Sequence, residues 1–388
     1  MALFQAPELD SGEMAVLGRI DEVREQLQSR LLLSHPRRWV GSLRRLSFAR
    51  AIQGSNSIEG YEAKLDDADA VAMHEEPIDA QKETELALAG YRDAMTYVLQ
   101  IAGDENFVFS PQLLKSLHFM MTGYSLKNRP GLWRAGPVYV LQEATGRVVH
   151  EGPDAALVPG LVDELVEFLG QSTPVDPLVV AATAHLNLVM IHPYRDGNGR
   201  MARCLQSLVL ARNGIASPVF MSIEEYLGRN TQAYYDVLSR VGGGTWSPGN
   251  DTRQWMRFVL TAHLRQAHTQ VRRVRESEQL WTALEETADR FSLPPRVVTA
   301  MFDAASGLRV RNSTYRAALA QEGEEITDQT AGRDLRSLVD KDLLTARGVN
   351  RGRHYAAGRE PARIRASIVA ARDPRDDTDP FEPSATTT

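Results

Sequence analysis

His192-Pro193-Tyr194-Arg195-Asp196-Gly197-Asn198-Gly199-Arg200, continued by Met201-Ala202-Arg203, puts a base, a carboxylate, a glycine-rich turn and two arginines into one connection. The apolar run Pro177 to Ile191 before it reads as a long helix, and Gly199 to Arg212 after it reads as another, stopped at Asn213-Gly214. Glycines at the start of a helix let backbone N–H groups converge, and the helix terminus adds partial positive charge, so Gly197, Asn198 and Gly199 form a candidate anion nest. Arg200 and Arg203 are three apart, project from one face of the first turn, and can grip further phosphates bidentately. Asp196 would be costly beside phosphate unless a divalent cation such as Mg²⁺ lay between them. His192, whose ordinary pKa lies near neutrality, is the candidate general base. The turn is thus expected to hold a nucleotide triphosphate and react it.

The bulk of the chain is compatible with such a site. At 388 residues it has room for two or three domains, and a hydrophobic fraction of 43% can fill real cores. No apolar run reaches the ~18 residues of a membrane span, and the opening MALFQAPELDSGEM lacks the basic and apolar regions of a signal peptide. A cytoplasmic protein without a membrane partner is expected. The single cysteine, Cys204, excludes an intramolecular disulfide and a cysteine-rich zinc site, and its apolar surroundings predict a buried thiol. His185, seven residues before His192, is read as a packed histidine and not a metal ligand. The net charge of −6 argues against a uniformly basic nucleic-acid binder, while leaving room for a local basic patch.

Outward from the turn, helical periodicity dominates. Glu22 to Leu33 and Arg44 to Ile52 look like amphipathic helices, and Ser110-Pro111 is a cap followed by an N1 proline opening a helix from Gln112 to Met121. Val138-Tyr139-Val140 and Arg147-Val148-Val149, joined across Ala144-Thr145-Gly146, predict a hairpin. The glycines at 242–244, through Ser247-Pro248-Gly249-Asn250, mark a break, after which Trp255 to Ala283 is a long charged helix. Helices over Pro294 to Ala305, Ser313 to Leu319 and Thr327 to Lys341, then a hairpin from Leu343 to Tyr355, follow the plan of a winged helix-turn-helix. From Arg359 the chain turns charged and rich in Pro, Asp and Thr, and is expected to be disordered.

The segment from His192 to Arg203 resembles the signature of Fic-domain proteins, His-Pro-Phe-x-Asp/Glu-Gly-Asn-Gly-Arg-x-x-Arg, with Tyr194 for the usual Phe. That exchange keeps an aromatic ring and adds a hydroxyl needing a partner. The glycine after Asn198 sets the chain apart from Doc-type phosphotransferases, and the resemblance spans roughly residues 30 to 355. It implies a mainly α fold: a Fic helical core with a β-hairpin flap, plus a C-terminal winged helix-turn-helix-like module. It implies transfer of AMP from ATP to a Tyr, Thr or Ser hydroxyl on an unknown protein target, with His192 as base and Asp196 holding Mg²⁺. Gly197, Asn198 and Gly199 would bind phosphate oxygens, Arg200 the β-phosphate side and Arg203 the γ-phosphate. Tyr235 and Leu238, on a helix after Asn230, would line the adenine pocket, and Val138, Tyr139 and Val140 would form the target-docking flap.

Ser55-Asn56-Ser57-Ile58-Glu59-Gly60 fits the family's inhibitory pattern, Ser/Thr-x-x-x-Glu-Gly/Asn. Glu59, presented by a helix stop at Gly60, would pair with Arg203 and deny it to the γ-phosphate. The implied enzyme is an autoinhibited protein adenylyltransferase, with self-modification and removal of AMP as further activities. The expected organisation is N-terminal helices with the inhibitory motif over 1–75, a Fic core over 76–241, a linker and long helix over 242–290, the winged-helix-like module over 291–358 and a disordered tail over 359–388. Arg333, Arg336, Arg347, Arg351 and Arg353 give the module a basic face, diluted by Asp328, Asp334, Asp340 and Asp342. DNA, a protein partner or a homodimer partner are open to it. The competing readings are a DNA-binding regulator whose Fic core only senses ATP, and a Fic transferase using another nucleotide donor.

Overall fold

The structure, a computed structural model, describes residues 3–32, 38–142, 147–171, 175–215, 222–349, 352–374 and 376–382. The N-terminal part holds α1 (Ser11–Leu32), α2 (Arg38–Ser57), α3 (Leu65–Ala72), α4 (Lys82–Ile101) and α5 (Pro111–Thr122). A hairpin follows, β1 (Tyr139–Gln142) and β2 (Arg147–Glu151), and then α6 (Val158–Gly170), α7 (Pro177–Ile191) and α8 (Asn198–Arg212). Next come α9 (Glu224–Arg229), α10 (Thr231–Gly242), a two-residue β3 (Gly244–Thr245) and the long α11 (Arg253–Arg290). The C-terminal part is α12 (Val297–Ala305), α13 (Asn312–Gln321), α14 (Asp328–Asp340), β4 (Leu344–Arg347), β5 (His354–Ala357) and α15 (Arg359–Ala370). The fold is mainly helical, as the periodicity predicts.

Helix starts follow local chemistry. Ser110 Oγ accepts from the Leu113 N–H at 3.1 Å with Pro111 behind it, and Asp176 caps the Leu178 N–H at 2.7 Å with Pro177 at N1. α7 has polar exceptions only at Thr183, His185 and Asn187, is buried on nearly every face, and forms the axis of the first core. Asn187 receives the Phe4 N–H and donates to the Phe4 carbonyl, both at 2.9 Å, which seats the N-terminal segment on this axis. His185 bridges Gln206 and Tyr234, so it is the packed histidine the sequence predicts. Cys204 is buried, and burial pushes its thiol pKa up.

Three features depart from the sequence reading. Residues 359–370, expected to belong to a disordered tail, form α15; Ile364 and Ile368 pack on a second core, and Arg365 and Arg372 bind Glu276. The charge that suggested disorder is thus used by a carboxylate on α11. The glycine-rich break contributes β3, which pairs parallel with β2 through His150↔Gly244 and Glu151↔Thr245. The expected divisions at 75, 242 and 291 do not separate cores either. Leu27 and Trp39 share one cluster with Trp281, Phe302 and Tyr315, and Arg45 of α2 bridges Asp69 and Asp303. The hairpin turn at 144–146 and Arg351 lie outside the described residues.

Candidate active site

α7 and α8 meet end to start, and the turn between them carries the site. His192 closes α7 in the left-handed region, φ 49°, with its N–H still bonded to the Leu188 carbonyl at 3.0 Å. Its Nδ1 lies 3.1 Å from the Val189 carbonyl, an oxygen that only accepts, so Nδ1 carries the proton and Nε2 offers the lone pair. Burial pushes the ring's pKa down to about 4, which keeps it neutral at neutral pH.

Gly197 sits at φ 77°, where a Cβ would strike the Thr122 side chain. Its N–H donates to Asp196 Oδ1 at 2.7 Å, while Asn128 Nδ2 donates to Oδ2 at 2.8 Å. Both bonds fix the carboxylate and leave it about one-third exposed. The Asp196 carbonyl accepts from His118 Nε2 at 2.9 Å; the same ring takes the Gly131 N–H on Nδ1 and stacks on Tyr194 at 3.7 Å. The Tyr194 hydroxyl is buried and has no partner among the described residues.

Asn198 is tied to the backbone of the turn. Its side chain accepts the Tyr194 N–H at 2.8 Å and donates one of its two amide N–H groups to the Tyr194 carbonyl at 2.9 Å, so it braces the turn. The Gly197 N–H is likewise engaged by Asp196. The helix start at Gly199 and the two arginines lie beside it. Arg200 is wholly buried, and none of its three guanidinium nitrogens has a hydrogen-bond partner among the described residues. Its nearest charge is Asp196 Oδ2 at 3.9 Å, and the Tyr61 ring lies 5.1 Å from its carbon.

The segment from Ser55 to Gly60 reaches this point. Arg203 donates from Nε to Ser55 Oγ at 2.8 Å, and from Nη2 to the Ser55 carbonyl at 2.9 Å and to Glu59 Oε1 at 2.7 Å. Its Nη1 is unpartnered among the described residues. Gly60, at φ 81°, ends the α2 turn that delivers Glu59. Glu59 Oε1 occupies the space that a Cβ on Gly199 would take, so its carboxylate sits on the N-terminus of α8. Burial would raise the Glu59 pKa, but Arg203 and Arg200 outweigh it and hold the carboxylate charged. Tyr235 is half-buried, with its hydroxyl 3.4 Å from the Ile58 carbonyl, whereas Leu238 packs in the core and presents almost no surface.

Arg134, which the sequence reading passed over, joins this turn to the hairpin. Its Nε donates to the His192 carbonyl at 2.9 Å, Nη1 to Gly136 at 2.8 Å and Nη2 to Pro153, while its own N–H binds the Pro193 carbonyl at 2.9 Å. Beyond it, the Val138 carbonyl accepts from Gly152, Tyr139 is exposed and Val140 is buried. The sheet order β1-β2-β3 leaves β1 as an outer strand. Among the described residues no group of three or more potential metal-ligating side chains occurs.

The model of the Fic/DOC family matches residues 108–210, which include the turn and both flanking helices. This chain carries a Fic domain. It is 25% identical over 256 residues to the Protein adenylyltransferase Fic of Nematostella vectensis, covering 65% of this chain and 55% of that one. It is 35% identical over 128 residues to Protein adenylyltransferase fic-1 of Caenorhabditis elegans, covering 32% of this chain and 22% of that one. The chain thus spans about half the length of the first relative and about a fifth of the second. A Fic family protein from Desulfovibrio desulfuricans G20 shares the fold, with a TM-score of 0.55 at 21% identity over 91% of this chain and 98% of that one. Fic-1 of C. elegans superposes at 0.53 over 68% of this chain and 73% of that one.

Proposed function

We propose that this chain is an autoinhibited protein adenylyltransferase that moves AMP from ATP to a Tyr, Thr or Ser hydroxyl on a protein. The observation that carries the reading is Arg200, a buried guanidinium with no hydrogen bond, beside Arg203, whose anion is already supplied by Glu59. Asp196 at 3.9 Å neutralises Arg200 only at a distance too long for a hydrogen bond, so its buried N–H donors favour an anion that can reach them. A triphosphate running along the start of α8 would satisfy Arg200 directly and take Arg203 from Glu59.

In this scheme His192 Nε2 accepts the proton of the target hydroxyl, whose oxygen attacks the α-phosphorus of ATP. The bond from that phosphorus to the β-bridging oxygen breaks, and pyrophosphate leaves with its charge against Arg200 and Arg203. Asp196, fixed by Asn128 and Gly197 yet partly open, fits Mg²⁺ held jointly with phosphate oxygens, and the ion would neutralise the triphosphate. The outer edge of β1 suits an extended target segment, held by main-chain bonds.

Glu59 opposes this chemistry by occupying the γ-phosphate's cation. A charge-assisted pair of this kind is worth about 1.5–3 kcal/mol, which corresponds to roughly ten- to hundredfold suppression if it must open before reaction. Incubating Glu59→Gly with Mg²⁺-ATP and cell lysate should add the mass of one adenylate per modified site. His192→Ala in that background should abolish the gain, and no gain in Glu59→Gly would sink the reading. The same assay with other nucleotides reads donor preference, and loss of adenylate from modified target reads the reverse activity.

A second reading concerns the C-terminal part. Arg333 and Arg336 of α14 and Arg353 before β5 line one open cavity of about 440 Å³ between helix and hairpin. Asp334 does not dilute this face, because it is buried against Arg296 and Tyr315. This supports DNA docking by α14, with phosphate contacts from the hairpin. A salt-dependent mobility shift that survives Arg333→Ala with Arg353→Ala would overturn it.

A further inference from the structure

A second cationic cavity, of about 240 Å³, opens between α2, α11 and α15, away from the turn. Six arginines face it: Arg50 of α2, Arg229 of α9, Arg272 and Arg273 of α11, Arg365 of α15, and Arg372 just beyond. Two glutamates answer them. Glu225 takes Arg273 through two contacts of 2.6 Å and Arg229 at 2.7 Å. Glu276 takes Arg372 at 2.6 and 2.8 Å, Arg365 at 3.3 Å and Arg272 at 3.8 Å.

Arg50 is left over. It makes no hydrogen bond or ion pair among the described residues, and its Nη1 is buried without a partner. Burial, and then Arg273, push its pKa down to about 9. A role in packing alone does not account for a partly buried guanidinium, its Nη1 enclosed and unpartnered, among five other arginines, since a neutral side chain of similar size would be more stable there.

We propose that this cavity binds a small anion bearing at least two phosphate-type charges, with Arg50 completing its recognition. An adjoining groove of about 740 Å³ shares Arg229, Arg272, Glu276 and Arg372 with it and gives room for an organic portion. Five residues beyond Arg50 the same helix presents Ser55 to Arg203, so a ligand here clamps the element that delivers Glu59. The inference rests on this cavity and holds whether or not the chain transfers AMP.

The test is calorimetric titration of the full chain with inorganic pyrophosphate and, separately, with ADP. Wild type is compared with Arg50→Gln, Arg50→Lys and Arg203→Gln, the last taking away one of the two arginines that would hold an anion at the turn. One pyrophosphate site should persist in Arg203→Gln, weaken at least tenfold in Arg50→Gln and recover in Arg50→Lys. Should Arg203→Gln fail to fold, wild type against Arg50→Gln reads the same loss as one fewer site. In Arg203→Gln, ADP tighter than pyrophosphate identifies a nucleotide-like ligand, and equal affinity identifies a free polyphosphate. Without ligand, Arg50→Gln should melt at or above the wild-type temperature. Pyrophosphate binding unchanged by Arg50→Gln, or a lowered melting temperature for that variant, would overturn the proposal.

Discussion

His192 enters the reaction with its ring already set. The Val189 carbonyl fixes the proton on Nδ1, and burial lowers the pKa from 6.5 to about 4. A base that must be neutral to act loses activity on protonation, so kcat/KM for the proposed transfer should fall with acid near pH 4 and not near 6.5. A pH–rate profile of Glu59→Gly checks this. The chemical types at this scale were legible in the sequence, because a histidine, an aspartate and two arginines at fixed spacing have few other uses. Their wiring was not. Asn198 carries hydrogen-bonding atoms that fit a phosphate, yet the fold commits its Oδ1 and one amide N–H to the Tyr194 backbone. Asn128, which orients Asp196, gave no signal beyond a turn, since its partner lies 68 residues away.

Arg134 shows at the scale of elements how the turn is tied to the hairpin. One guanidinium fans out to carbonyls at His192, Gly136 and Pro153, a geometry that the point charge of a lysine cannot reproduce. Arg134→Ala should leave those partly buried carbonyls unpaired, at about 1–3 kcal/mol each, and lower both the melting temperature and kcat. Arg134→Lys should restore little of either; full recovery would remove the fan from the account. Caps made α5 and α7 legible, because Ser110-Pro111 and Asp176-Pro177 state a helix start locally. β3 was hidden, since two residues containing a glycine carry no strand pattern and owe their pairing to β2 alone. α15 was hidden by its charge, whose partner Glu276 lies some ninety residues earlier.

Across the whole molecule two cores are joined by α1, α2 and α11, which explains why a module resembling a separate domain packs on the N-terminal helices. Deleting residues 359–382 removes both the Glu276 pairs and the Ile364 and Ile368 contacts, so the truncated chain should melt at a lower temperature. Acid should act on the entire fold. His118 at about 4, His185 at about 3 and His192 at about 4 all lie below the unfolded value of 6.5, because burial disfavours their charged forms. The unfolded chain therefore binds protons first as pH falls, so this stability is full above about 6.5 and is lost progressively toward 4 and 3. Melting temperature measured from pH 7.5 to 4.5 should fall over that window, and a flat profile would contradict it.

The proposed inhibition runs from Glu59, in the turn that follows α2, to Arg203, 144 residues downstream, and holds the reaction centre shut. Its most direct test is the initial rate of labelled AMP incorporation from Mg²⁺-ATP into protein, compared between wild type and Glu59→Gly at equal concentration. A rise of roughly ten- to hundredfold is expected in the variant, abolished by adding His192→Ala. Equal rates in wild type and Glu59→Gly, with ATP bound by both, would contradict it.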